Sequence, residues 1–166
     1  MEGRLEKIII SSLCFNEPYL RKVVPFLRPE YFSNTAERIV FQKIVEYTVK
    51  YNSPPSKEAL VIAVQEDRSV SESHDKGIET LIQDIVPISI DLSWLLDETE
   101  KFCKDRALYN AIMESIQIID GKNKTYGKES LPHLLSDALA VGFDTSVGHD
   151  YIENANSRYE FYHRQE

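Results

Sequence analysis

Little in this chain could do chemistry. It has six glycines in 166 residues, and none lies in a loop that would cradle a phosphate. Neither G-x-x-x-x-G-K-[ST] nor G-x-G-x-x-G occurs, and the nearest pair, Gly121-Lys122, reads as a helix C-cap. Two cysteines, Cys14 and Cys103, stand far apart among apolar neighbours with no base alongside. They are expected to be buried free thiols in a reducing compartment, not a disulfide or a nucleophile. The four histidines, His74, His133, His149 and His163, fall in four separate elements without metal-ligand spacing, so solvated or capping roles are expected. Basic clusters are missing too. Through residue 90 there are 11 basic and 13 acidic residues, and beyond it 8 and 14, giving −8 in all. Tight nucleic-acid binding by this stretch alone is therefore not expected. No apolar run approaches a membrane span, and the charged Met1-to-Lys7 opening is not a signal peptide. A soluble, cytoplasmic protein with no membrane partner is expected. Carboxylates such as Glu98 and Asp105, or Asp97 with Lys101, fall at helical spacings that read as a solvated face. No catalytic, cofactor-binding or metal-binding residue is assigned.

What is present is helix. A hydrophobic content of 42% permits a real core, and no alternating pattern outranks the helical ones, so the fold class is all-α. Leu5–Cys14 reads as a short apolar helix, and Asn16 as the cap of a second that buries Tyr19, Val23, Val24 and Leu27. Pro29 stops that helix, with Tyr31 and Phe32 placed to plug the core. A third helix is expected from about Asn34 to Tyr51, with Ile39, Ile44, Val45, Thr48 and Val49 on or near its buried face. Ser56 caps a fourth, Lys57 to Glu66. A fifth, about Ser73 to Val86, buries Ile78, Leu81, Ile82 and Ile85 before Pro87 ends it.

Asp91 to Ile119 has neither Pro nor Gly and reads as one helix, a rod of roughly 43 Å. Trp94, Leu95 and Cys103 are expected to help its first half close a globular bundle, residues 1–90. From about Ala107 the apolar residues Ile112, Met113, Ile116, Ile118 and Ile119 cover more than one stripe, which calls for partners on more than one side. Gly121 closes the rod. After a polar loop, His133 to about Val141 returns as a second arm, making an antiparallel helical hairpin over 91–141. An oligomer interface is expected on Ile112, Ile116, Ile119, Leu134, Leu135 and Leu139, although the same residues could instead close the hairpin within one chain. Lys122, Lys124 and Lys128 at the tip are candidate phosphate contacts, set against a merely solvated loop. Residues 142–166 read as a glycine-containing hinge and a linker helix. Tyr151, Ile152, Tyr159, Phe161 and Tyr162 are its candidate docking residues, and the absence of a terminator predicts a helix running past Glu166.

The amino-terminal part, with Leu27, Pro29, Glu30 and Phe32 forming L-x-P-E-x-F and then Pro55, Ser56 and Leu60, resembles the start of DnaB-type replicative helicases. Later residues are similar to the replicative helicases of T-even-type bacteriophages: Ser93-Trp94-Leu95, Glu98-Thr99-Glu100-Lys101, Arg106-Ala107, Phe143-Asp144 and Val147-Gly148-His149-Asp150. The resemblance implies a non-catalytic amino-terminal collar. Helical hairpins pair there between subunits, so that a hexameric ring forms from dimers. It also implies docking of DNA primase, a part in helicase loading with a loader protein, and DNA passing through the complete ring. ATP and Mg would belong to a RecA-like motor outside this chain, which itself would not be an enzyme, and the setting would be the host bacterial cytoplasm. The alternative is an independent helical adaptor or a weak single-stranded-DNA-binding module.

Overall fold

Asn16 shows how locally this fold is written. Its side chain accepts the Tyr19 amide at 3.1 Å, so one helix ends and another starts within two residues. The computed structural model describes residues 2–70 and 72–143. These contain seven α-helices and no strand: α1 Glu2–Phe15, α2 Glu17–Val23, α3 Thr35–Tyr51, α4 Lys57–Glu66, α5 Glu72–Gln83, α6 Leu92–Ile119 and α7 Leu131–Leu139. Short 3-10 turns occupy Pro29–Tyr31 and Lys128–Ser130. The chain divides into two compact units, Met1–Thr99 and Glu100–Glu166, with the boundary inside α6.

In the first unit α3 is central, packed by α1, α4, α5 and the turn at Pro29–Tyr31. Asn34 caps it, accepting from the Ala36 and Glu37 amides, and Asn52 ends it with a positive φ of 57°, which asparagine tolerates. Its buried face is Glu37, Val40, Phe41 and Ile44, at i, i+3, i+4 and i+7. This corrects the sequence reading. Ile44 is inward as expected, but Val49 is exposed, because neighbours on several sides decide which stripe is covered. Tyr31 and Phe32 do enter the core, and the Phe32 and Phe41 rings lie 5.2 Å apart.

α5 stops at Gln83, earlier than expected, and not because of Pro87. The Asp84 amide is shared between the Thr80 and Leu81 carbonyls and Ile85 bonds to Ile82, so the ladder has already tightened. Ile85 is still buried, beyond the helix end. Asp91 caps α6 by accepting the Trp94 amide at 3.0 Å. That phase sends Leu95 and Thr99 inward, where the Thr99 hydroxyl donates to the Leu95 carbonyl and meets the Tyr19 hydroxyl at 2.6 Å. Trp94, one residue from Leu95 and about 100° round the helix, is half-exposed and does not close the bundle as expected. Cys103 is fully buried, but it belongs to the second unit. Lys43 holds Asp67 at 2.6 Å, tying α3 to the end of α4. Among the described residues no helix is long and apolar enough to cross a membrane.

Candidate assembly surface

The second unit is built on the later part of α6. Gly121, at φ +74°, closes the helix with two bonds, Gly121 N–H to Ile118 at 3.0 Å and Lys122 N–H to Gln117 at 2.8 Å. The loop that follows is held by Asn123. Its side-chain oxygen accepts the Thr125 and Tyr126 amides, and its amide nitrogen donates to Glu114 at 3.3 Å. After α7 the chain reaches Glu100, where the Phe143 amide donates to Glu100 Oε2 at 2.9 Å. A β-carbon on Gly142 would stand 3.1 Å from the Lys104 side chain. The chain has therefore reversed direction along α6. The Ala138–Gly142 segment faces Glu100, Lys104, Asp105 and Leu108 across an open groove of about 490 Å³.

Two stripes run side by side along this part of α6. Ala111, Ser115 and Ile118 are buried, as is Ala138 of α7. Tyr109, Ile112, Ile116 and Ile119 form the other stripe and are about half-exposed, Ile116 at 47% and Ile119 at 58%. Their spacing of three, four and three is that of a coiled-coil seam. At 3.6 residues per turn its centre lies about 100° from that of the buried stripe. Met113 is exposed beside it, and Leu139 on α7 is 71% exposed. Leu134 and Leu135 are half-buried. Of the six residues assigned to an interface, the structure thus leaves Ile112, Ile116, Ile119 and Leu139 outward. Tyr109 was missed, although the heptad spacing back from Ile112 points to it. The Arg106 guanidinium covers its ring at 4.6 Å.

Lys122, Lys124 and Lys128 are all exposed around the loop after α6. Tyr151, Ile152, Tyr159, Phe161 and Tyr162 lie outside the described residues. His133 is exposed and 3.2 Å from Asp137, and among the described residues no group of three or more acidic, cysteine or histidine side chains could hold a metal. Neither cysteine is in a disulfide, and both are buried. Burial pushes each up to about 12, with Glu100 adding to the effect at Cys103 and Lys57 opposing it at Cys14. They are unsuited to nucleophilic work.

No family model matches the chain. A DnaB-like replicative helicase of Enterobacteria phage T4 is 33% identical to it over 164 residues. The match takes in 94% of this chain and 34% of that protein, so the chain spans about a third of the relative's length. This all-helical chain is thus similar to a stretch of about a third of a DnaB-like replicative helicase.

Proposed function

We propose that this chain is the non-catalytic amino-terminal collar of a ring-forming replicative DNA helicase. The observation that carries the reading is the outward heptad stripe Tyr109, Ile112, Ile116 and Ile119, with Leu139 of α7 also exposed, on a chain related to a replicative helicase. A half-exposed row of isoleucines is costly in water and is relieved when a second copy covers it. Leu134 and Leu135, half-buried on α7, belong to the same proposed interface. Two chains joined this way form the unit from which a closed ring of six is built, and the collar then offers its outer helices to DNA primase and to a helicase loader. The duplex-unwinding activity, with ATP and Mg, resides in a motor domain outside this stretch. Tyr151, Ile152, Tyr159, Phe161 and Tyr162 serve the connection to that motor.

The test is the solution mass of the chain across a wide concentration range, alone and with the cognate primase. A reversible dimer or larger ring, and co-sedimentation with primase, is the expected result. A chain that stays monomeric and ignores primase rejects the collar reading. Salt-dependent binding of single-stranded DNA, weakened by changing Lys122, Lys124 and Lys128 to Glu, would favour a nucleic-acid-binding module instead.

A further inference from the structure

The first unit buries two carboxyl groups against each other. Glu6 on α1 is 3% exposed and Glu37 on α3 is 4% exposed, and their carboxyl groups are close enough to share a hydrogen bond. Ionised carboxylates only accept hydrogen bonds, so a bond between two of them requires a proton. The surroundings say which residue holds it. Glu6 Oε2 accepts from both the Ser33 amide and the Ser33 hydroxyl, each at 3.4 Å. Glu37 Oε1 is buried with no hydrogen-bond partner, an atom that carries charge badly. The proton therefore sits on Glu37, whose hydroxyl donates to Glu6.

The charged groups around the pair are few. Among the described residues, Lys7 on α1 is the cation acting on Glu37. Arg38, next to Glu37 in the chain, directs its guanidinium to the Phe32 carbonyl at 3.1 Å and the Thr35 hydroxyl at 3.0 Å. Glu30, on the neighbouring turn, is exposed.

We propose that Glu6 and Glu37 form a proton-operated clasp: a single proton shared between them fastens α1 to α3, and its loss at alkaline pH loosens α1 from the unit. Once the proton leaves, two buried negative charges face each other and neither can reach water without the helices parting. Consistent with this geometry, burial, and then the bond to and charge of Glu6, push the Glu37 carboxyl up to about 8, with Lys7 only partly opposing. The sign follows. A carboxyl raised on folding contributes its full stability below the ordinary carboxylate range, and that contribution is lost as pH rises through about 8. Across that window the folding constant falls about tenfold per pH unit from this group.

The experiment is denaturant unfolding of the chain from pH 5 to 9, compared with Glu37→Gln, which keeps an N–H donor for Glu6 but has no proton to lose. The wild-type folding constant is expected to fall steeply relative to the variant, and hydrogen exchange of α1 amides to quicken with pH only in the wild type, after correction for intrinsic rates. Equal pH slopes in the two proteins would overturn the clasp. If Glu37→Gln does not fold, wild-type unfolding measured in buffers of different ionisation enthalpy decides the matter. Release of close to one proton per chain at pH 7 supports the clasp, and release of none rejects it.

Discussion

Changing Ile116 to Asp separates the two stripes of α6. Ile116 is 47% exposed in the single chain, so covering the remainder is worth roughly half of the 1.5–3 kcal/mol for burying such a side chain, about 1 kcal/mol. In a two-fold symmetric contact the residue is lost twice, which makes about 2 kcal/mol, or roughly 30-fold in the dimer dissociation constant. Each aspartate would also bring an unpaired charge to the interface, adding about 1–3 kcal/mol per chain, so a loss of at least 100-fold is expected. The fold itself should lose much less, about 1–2 kcal/mol, because only half of the side chain is buried within the unit. Ile118→Ala is the counterpart. Ile118 is 4% exposed, so this change should cost about 2–4 kcal/mol of stability while leaving association of the folded chain close to normal. Sedimentation equilibrium over a thousandfold range of concentration measures the first quantity, and urea unfolding the second. Ile116→Asp associating as tightly as the wild type, or a wild-type chain monomeric throughout, would refute the assignment of this stripe to an interface.

Gly121→Ala should destabilise the chain by about 1 kcal/mol, seen in thermal unfolding. Nothing lies within 4 Å of the added carbon, so the cost is the positive φ alone. Asp67, held well below the usual carboxylate range by Lys43 and then by Ser69, contributes stability above its unfolded pKa that is lost as pH falls through the folded one. Asp67→Asn should therefore show a shallower decline in stability below pH 4 than the wild type in acid unfolding monitored by circular dichroism. Cys14 and Cys103, each pushed up to about 12, should resist thiol reagents at pH 8 in the folded chain and react only as fast as it opens. Rapid labelling of either would contradict the burial described above.

Much of this protein is decided residue by residue. Asn16 and Ser56 cap the helices expected of them, and Asn34 and Asp91 cap α3 and α6, because a short polar side chain beside a free amide acts within three residues. Gly121 ends α6 for an equally local reason, and the uninterrupted run before it makes one long helix. The lack of phosphate loops and metal spacings is likewise plain from composition and order. Tertiary structure decided which stripe of each helix is covered. On α3 the sequence offered Ile39, Val45 and Val49 as readily as Val40 and Phe41, and packing by α1, α4 and α5 chose the second set. On α6 both stripes are apolar, so composition alone could not tell Ile118, closed within its unit, from Ile116, left facing outward. Only the fold brings Glu6 and Glu37 together from 31 positions apart. Burial is a property of neighbours distant in the chain, so a helix's ends can be read along its sequence, whereas the face it hides and the charges it buries are set by whatever packs against it.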